Sequence, residues 1–325
     1  MSSSATTSQK PLPIDFAPGG QAVLEGVLMR SPNYVAVAVR NPKGEIVYDR
    51  RQHTPWSKRL KILALPFVRG MIGICEMMII GFRALNFSSN VFMEQEEKNG
   101  EKSSVVESAI FAFSLIIAIG VSIFLFKFIP LFITTQLEKI FPTIKNHYFI
   151  FNLIDGVIKL AIFIGYLSLM LLSKEMKRVF EYHGAEHKAV WTYEKGLDLK
   201  IENAKKQTRL HPRCGTSFII LVFIISIFTY MFLPKQETFL ANFALRLLWL
   251  PVIGGASYEI LKWSARNTGN YLVKLLVTPG LLMQRITTQE PDDTQLEVAL
   301  RALEATLELE RNGLESQRMP DVQTT

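Results

Sequence analysis

The residue types most able to do chemistry lie close together in the stretch VFEYHGAEHKAVWTYEKG, residues 179–196. His183 and His187 are four residues apart, so on a helix their side chains lie one turn apart on the same face. This spacing lets two imidazoles bind one metal ion. Glu186 completes an H-x-x-E-H string, which is the inverted zinc-protease signature with glutamate as the general base. The string is short, and it also occurs by chance in unrelated chains.

A second stretch, LHPRCGTSF at residues 210–218, adds His211 and Cys214 three residues apart. Histidine and cysteine are preferred zinc ligands, and three of the five histidines and one of the two cysteines fall between residues 183 and 214. We therefore predict a site for zinc or another divalent metal. The predicted ligands are His183, His187, His211 and Cys214, and Glu186 is the predicted catalytic base.

Each of these residues also has a plain structural interpretation. A histidine at a membrane boundary often caps a helix or bonds a backbone carbonyl. A single cysteine such as Cys214 is most often a small buried hydrophobe. If all four predicted ligands bind one ion, the site is closed and structural, which argues against catalysis.

The composition indicates a membrane protein. The chain of 325 residues is 49% hydrophobic and 20% charged, and it carries 36 Lys and Arg against 29 Asp and Glu. An excess of positive charge in a hydrophobic chain is typical of a polytopic membrane protein with basic loops on one side. The two cysteines are far apart and do not form a disulfide framework. The basic residues follow no DNA-binding pattern, so we predict no DNA partner.

Four apolar segments are each long enough to cross a bilayer. They cover residues 105–133, 148–172, 217–233 and 240–261. We place the first two spans in a region 105–173 and the last two in 217–262, separated by a basic His/Cys loop, 174–216. The positive-inside rule then puts this loop and both termini in the cytoplasm, with the protein in the cell's inner (cytoplasmic) membrane.

The regions outside these spans carry other patterns. Residues 1–18 read as a disordered tail. In region 19–104, alternating valines before NPKG predict a cytoplasmic β-hairpin, and residues 60–93 predict a pair of buried or interfacial amphipathic helices. The C-terminal region, 263–325, contains a predicted amphipathic helix with a Thr294–Glu297 capping box. The apolar stripe of that helix consists of Leu296, Leu300, Leu303 and Leu307.

Charged residues within the predicted spans form a second candidate site. Asp155 and Lys159 are four residues apart and can pair on one helix face, while Lys127, Arg246 and Glu259 lie in other spans. Charges at this depth are costly, so they face the bundle interior or a wet cavity. Lys127 and Arg246 can instead extend to the membrane surface. Glu259 is predicted near the His/Cys loop, as a further ligand or as a group that orients one.

Five motifs together resemble the YqhQ-like family of bacterial membrane proteins, which is described generically as predicted metal-dependent enzymes. The motifs are GGQAVLEGVLMR (19–30), YHGAEHK (182–188), HPRCGTSF (211–218), SYE (257–259) and TPGLLMQRITTQEP (278–291). The resemblance covers nearly the whole chain and implies a metal site at the YHGAEHK and HPRCGT motifs. It supplies no substrate.

Three functions follow as hypotheses. The first is a metal-dependent hydrolase that acts on a membrane-associated substrate at the cytoplasmic face. The alternative is a non-enzymatic scaffold or membrane-protein biogenesis factor, with a structural metal site and a basic docking surface for anionic lipid, a ribosome or another membrane protein. A transporter or channel is the third, prompted by Asp155 and Lys159, but the chain has no evident inverted repeat. The sequence does not indicate an oligomeric state.

Overall fold

The fold is taken from a computed structural model, which describes residues 18–93, 104–141, 143–144, 147–234, 236–267 and 270–318. The predicted disordered tail lies outside these residues except for residue 18. The strands are β1 (Gly19–Val23), β2 (Gly26–Arg30), β3 (Tyr34–Arg40) and β4 (Ile46–Gln52). The helices before the His/Cys loop are α1 (Trp56–Arg59), a 3₁₀ turn (Lys61–Ala64), α2 (Val68–Met93), α3 (Ser104–Ile123), a π-helical turn (Phe124–Phe128), α4 (Ile129–Ile140) and α5 (Tyr148–Met170). The later helices are α6 (Lys174–Glu194), α7 (Ile201–Lys205), α8 (Gly215–Met231), α9 (Phe239–Leu248), α10 (Leu250–Arg266), α11 (Tyr271–Thr287) and α12 (Asp293–Arg318).

The predicted hairpin is half of a four-stranded antiparallel sheet. Strands β3 and β4 pair as predicted, with Val39 opposite Val47, and the sheet order is β1-β2-β3-β4. The first hairpin, β1–β2, was not predicted. Its turn contains Glu25 with φ of 49°, a left-handed conformation usually taken by glycine or asparagine. The sequence therefore lacks the usual signal for that turn.

Helices cover both faces of the sheet. On one face, Val27 and Met29 of β2 pack with Tyr182 of α6 and Leu303 of α12. On the other face, alternate residues of β2 and β3 pack with α2 around Ala84. Strands β2 and β3 are therefore buried along almost their whole length, which explains why their sequences are apolar without a polar alternation.

Residues 68–93 form one long helix, α2, where a pair of helices was predicted over residues 60–93. Its 26 residues follow the short helix α1 and the 3₁₀ turn. One side of α2 packs on the sheet, and its first turns cross α10, where a Cβ added at Gly70 would lie 2.8 Å from Tyr258 Cβ. The glycines and charged residues that interrupt this apolar segment are thus contact points of a continuous helix.

Among the described residues, three helical segments are long and apolar enough to cross a membrane. They are Ile116–Ile140, Phe149–Met170 and Phe239–Ser264. The third predicted span corresponds to α8, Gly215–Met231, which is apolar but has only 17 residues. These segments make the chain a membrane protein that is mainly helical and carries a small antiparallel sheet.

The C-terminal helix α12 packs on the protein's own core through the predicted stripe. All four leucines of the stripe are buried: Leu296, Leu300, Leu303 and Leu307. Its capping box begins two residues earlier than predicted. The Asp292 carboxylate accepts from Gln295 N at 2.9 Å, and the Gln295 side chain accepts from Asp292 N at 2.9 Å. The predicted partner Glu297 instead binds Arg40 at 2.7 Å.

Candidate metal centre

The residues of the candidate centre lie within the predicted His/Cys loop, 174–216, which the structure folds largely as helices α6 and α7. His183 and His187 lie on α6, and Cys214 is the N-cap residue of α8. One ligand atom from each of the three side chains lies within 4.8 Å of the other two. We call His183, His187 and Cys214 the His/Cys centre. Three soft or borderline ligand atoms at this separation suit a single zinc-like ion.

Backbone carbonyls set the orientation of both imidazoles. His183 Nδ1 lies 2.8 Å from Thr287 O, and His187 Nδ1 lies 2.6 Å from Arg209 O. A carbonyl oxygen can only accept, so each Nδ1 must carry the proton. In the neutral ring, Nε2 is then left with a free lone pair. His183 Nε2 is 3.2 Å from the Cys214 sulfur. Metal-binding histidines are held in this way, with the second nitrogen donating to a carbonyl or carboxylate.

Glu186 lies beside the same ligand atoms. Its Oε2 is 3.9 Å from His183 Nε2 and 4.0 Å from His187 Nε2, and the residue is 6% exposed. Strand β1 passes close to it, since a Cβ added at Gly20 would lie 2.8 Å from Glu186 Cγ. Glycine at position 20 therefore leaves room for the carboxylate. The structure places Glu186 where a general base next to the His/Cys centre would be.

The thiol of Cys214 favours its charged form. Burial by itself raises the pKa of Cys214, but the imidazoles of His183 and His187 outweigh burial and hold that pKa well below its usual range. The sulfur also accepts a hydrogen bond from Thr216 N at 3.3 Å, in the first turn of α8. A thiolate is the form of cysteine that binds metals.

His183 shows the complementary effect. Burial by itself lowers the pKa of His183, but the Cys214 thiolate, the Glu186 carboxylate and the Thr287 carbonyl raise it to about 9. The centre therefore stabilises positive charge next to His183 Nε2. A bound divalent cation would occupy this environment in place of the imidazolium proton, so the donor set fits the implied metal.

The segment after α11 closes over α6 and supplies the carbonyl that orients His183. A Cβ added at Gly184 would lie 2.1 Å from Gln289 O, so only glycine allows this crossing. Gln289 N donates to Phe180 O at 2.8 Å, and the Arg209 guanidinium donates to Thr288 O. These contacts fix residues 287–289 against the helix that carries both histidines.

His211 is not brought into the His/Cys centre. Its Nδ1 accepts from Arg213 N at 3.3 Å, and its Nε2 lies 3.4 Å from the Glu194 carboxylate. Its ring centroid lies 4.8 Å from that of Trp191 and 5.7 Å from that of His187. The predicted fourth ligand thus packs behind His187 with both ring nitrogens engaged elsewhere. An ion held by the other three side chains alone would keep a coordination position for water or substrate.

Comparison with known proteins gives the family. Residues 65–309 match the family described as protein of unknown function (DUF1385). The uncharacterized protein YqhQ of Bacillus subtilis (strain 168) is 34% identical over 312 residues, which cover 92% of this chain and 95% of that protein. This chain belongs to the YqhQ-like DUF1385 family. The resemblance noted in the sequence is thereby confirmed, and no solved structure matches the chain. Neither description names a ligand or a reaction.

Glu259 of this family member does not lie against the His/Cys centre. Its carboxylate accepts from Arg69 Nε at 2.7 Å and also binds the second guanidinium nitrogen. This ion pair joins α10 to the start of α2. Glu259 was predicted near the His/Cys loop because it is close to the cytoplasmic end of its span, but Arg69 lies at the same level and takes the carboxylate.

Asp155 and Lys159 pair as predicted, at the other end of α8. Lys159 Nζ donates to Asp155 Oδ2 at 3.2 Å, and Arg246 also donates to that oxygen. All three side chains are buried. With Lys127 and Tyr230 they form what we call the membrane charge cluster. Tyr230 is 16 residues from Cys214 along α8, so the cluster lies about 24 Å from the His/Cys centre.

Sequence reasoning missed the residues that hold the centre in place. Gln284 is fully buried and bonds both backbone groups of His211, at 2.7 Å to the N–H and 2.8 Å to the carbonyl. Thr287 and Arg209 contribute only their carbonyls, so their side-chain types gave no signal. A glutamine in the last turn of an apolar helix was the available clue to Gln284.

Proposed function

We propose that this protein is a membrane-bound, metal-dependent hydrolase. His183, His187 and Cys214 would hold zinc or another divalent metal, and Glu186 would act as general base. The observation that carries the proposal is the convergence of two carbonyl-oriented imidazoles and a thiolate within 4.8 Å. Such an arrangement leaves lone pairs directed at a common point, which is what a metal site requires.

The ion and the residues around the centre would have different roles in hydrolysis. A bound divalent ion would supply Lewis-acid chemistry for a hydrolytic reaction. Glu186 Oε2 lies 3.9 Å from His183 Nε2 and 4.0 Å from His187 Nε2, so it faces the same space as the two ring nitrogens. It can therefore take a proton from a nucleophile placed between itself and the centre and return it to a leaving group. Gly20 and strand β1 hold the carboxylate in place from the other side.

The proposed topology has four spans, with α8 as the short third one. The basic loop 174–213 carries ten Lys and Arg residues, whereas the connection 234–239 between α8 and α9 carries only Lys235. This bias supports a cytoplasmic His/Cys centre, cytoplasmic termini and an inner-membrane location. Since Cys214 directly precedes α8, the centre lies where the chain enters the membrane. This position favours a membrane-associated substrate, such as a lipid-linked molecule or a membrane protein.

One observation favours a second candidate, a scaffold or biogenesis factor with a structural metal. His187 is only 2% exposed and Cys214 only 5%. Such burial is expected of the ligands of a structural metal ion, which holds segments of the chain together. In that case the basic loop would provide the docking surface for lipid, a ribosome or a membrane protein. The exposed edge of the centre is His183, whose side chain is 17% exposed. A substrate would have to enter over that ring.

Metal content and hydrolysis, measured together, test the proposal. Full-length wild type purified in mild detergent should contain about one divalent ion per chain by elemental analysis, and His187→Ala should contain close to none. Glu186→Gln should keep both the ion and the fold but lose hydrolysis of a panel of ester, peptide and lipid substrates. Wild type without metal would contradict both candidates. Metal in wild type, with no hydrolysis that depends on Glu186, would favour the scaffold.

A further inference from the structure

The membrane charge cluster holds more positive than negative charge. Lys127, Lys159 and Arg246 surround one aromatic ring, with their charged groups 5.2, 5.3 and 5.0 Å from the centroid of Tyr230. Among the described contacts of these three cations, the only carboxylate is that of Asp155. With all groups charged, the cluster carries an excess of two positive charges.

Most of this charge is buried inside the membrane helices. Lys159 is 2% exposed, Arg246 is 6% exposed and Asp155 is 1% exposed, whereas Lys127 is half-buried. Unpaired charge at such depth is costly, on the order of 2.5 to 3.5 kcal/mol per group on insertion scales. Buried charges in membrane proteins are accordingly paired, and the described side chains supply only one partner.

Hydrogen bonding shows the same imbalance. Each lysine ammonium has three N–H groups. Lys159 has one described hydrogen bond, to Asp155 Oδ2 at 3.2 Å, and Lys127 has one, to Tyr230 Oη at 3.1 Å. Two N–H groups of each lysine therefore have no described acceptor. One acceptor is also open, since Asp155 Oδ1 is buried and accepts no hydrogen bond from the described residues. The open N–H groups outnumber this oxygen, so the cluster can use a further acceptor.

A small cavity adjoins the cluster on the side away from the His/Cys centre. It has a volume of about 10 Å³ and is lined by Asn152, Tyr230, Arg246, Asn242, Leu233 and Pro234, among others. Leu233 and Pro234 belong to the connection after α8, so the cavity lies at the end of the bundle. This volume is close to that needed for one water-sized species.

We propose that this cavity is a binding site for one small monoatomic anion, of which chloride is the most readily available. Arg246 lines the site and contributes the direct charge. Lys127 and Lys159 lie on the Tyr230 ring and add positive potential at low dielectric. The anion neutralises one of the two excess charges and supplies an acceptor without a donor, as the surplus N–H groups require. The site is separate from the His/Cys centre and does not depend on its function.

Thermal unfolding in different sodium salts tests the site. Full-length wild type in detergent is titrated with chloride, replaced by gluconate at constant ionic strength, with bromide and sulfate in parallel. Chloride and bromide should raise the unfolding temperature by roughly 3–6 °C and saturate, because a ligand that binds only the native state stabilises it by mass action. Gluconate and sulfate should give no saturable rise.

Variants locate the effect. Lys127→Met should raise the chloride concentration for half-maximal effect by about 10-fold, since one nearby charge is removed. Lys139→Met is the matched control on the adjoining helix α4, because Lys139 is exposed and bonds only Gln136 among the described residues; it should leave the chloride response unchanged. Arg246→Gln should abolish the response.

A measurement on wild type alone guards against variants that fail to fold. ³⁵Cl NMR line widths of chloride should broaden in the presence of wild-type protein and narrow again on addition of bromide. Equal unfolding temperatures in chloride and gluconate, together with no broadening, would overturn the proposal. That result would mean that the cavity holds water only and that the lysines are neutral.

Discussion

The two ends of α8 contact buried polar groups of different kinds. At the Cys214 end, two backbone carbonyls orient His183 and His187, and the Nε2 atom of His183 faces the Cys214 sulfur. At the Tyr230 end, positive charges surround one ring with a single carboxylate between them. We propose that the first end, with its oriented ring nitrogens, binds a cation. We propose that the second end, with its excess of positive charge, binds an anion.

This difference shows which contacts of a buried titratable group indicate an ion-binding site in a membrane protein. Histidine next to cysteine indicates a cation site when one ring nitrogen donates to a backbone carbonyl and the other faces the cysteine. His211 does not meet this condition, because Arg213 N and the Glu194 carboxylate engage its two ring nitrogens. Lysine and arginine indicate an anion site only if the carboxylates near them are too few. Asp155 alone leaves that excess.

Removing one ligand of the His/Cys centre should have the largest effect. His187→Ala deletes one of three ligands, and structural zinc binding totals about 10–16 kcal/mol. We expect roughly 10³-fold weaker metal binding, measured by competition with a chromophoric chelator. The charge cluster should be unaffected, so the chloride response should persist. Loss of both responses together would show that the two ends of α8 are not independent.

Removing the carboxylate of the membrane charge cluster should destabilise the protein without loss of metal. Asp155→Asn leaves Lys159 and Arg246 without a carboxylate, and breaking a buried ion pair costs about 3–5 kcal/mol. Thermal unfolding in detergent measures the loss, and elemental analysis should still find one ion per chain. Higher chloride should recover part of the stability, because the anion then replaces the missing carboxylate. Unchanged stability would show that Asp155 does not balance these cations.

A substitution between the two segments of the centre should give an intermediate effect. In Gly184→Ala, the new Cβ would lie 2.1 Å from Gln289 O, so residues 287–289 must move. Overpacking of this kind costs about 1–3 kcal/mol, and the shift of Thr287 O should weaken metal binding as well. Gly165→Ala is the control, since its Cβ meets no atom within 4 Å. Equal metal affinity in the two variants would argue against a role for the Thr287 carbonyl.

The smallest effect concerns the start of α12. Asp292→Ala removes the N-cap side chain and should cost about 1 kcal/mol, whereas Thr294→Ala should cost only a few tenths. Urea titration monitored by the tryptophans compares the two variants. Neither change should alter the metal content. A larger cost for Thr294→Ala would restore the capping box that the sequence first suggested.

Periodicity predicted the long elements but not the details of their contacts. The stripe from Leu296 to Leu307, the β3–β4 hairpin and three apolar spans follow from spacing alone. Strands β1 and β2 were missed because Glu25 occupies a turn position where glycine is expected. Residues 60–93 were divided in two because Gly70 and neighbouring charges interrupt the apolar pattern. In the fold, those residues are contacts with α10.

From the sequence, only those residues of the site that contribute their side chains could be predicted. His183, His187, Glu186 and Cys214 were found from type and spacing, and the structure brings them together. His211 was included for the same reason, and the sequence could not show that Glu194 and Arg213 engage its ring. Thr287 and Arg209 contribute backbone carbonyls, which every residue type has, so the sequence carries no sign of them. Their role depends on how residues far apart in the chain pack.

X-ray absorption at the zinc edge of metal-loaded, full-length wild type tests the central claim most directly. If His183, His187 and Cys214 hold the ion, the spectrum should show one sulfur ligand at about 2.3 Å and two imidazole nitrogens at about 2.0–2.1 Å. The remaining position should be taken by a light atom that is not imidazole. His211→Gln should give the same spectrum, and Cys214→Ser should lose the sulfur shell. A wild-type protein that binds no zinc, or a spectrum with three imidazoles and no sulfur, would contradict the account.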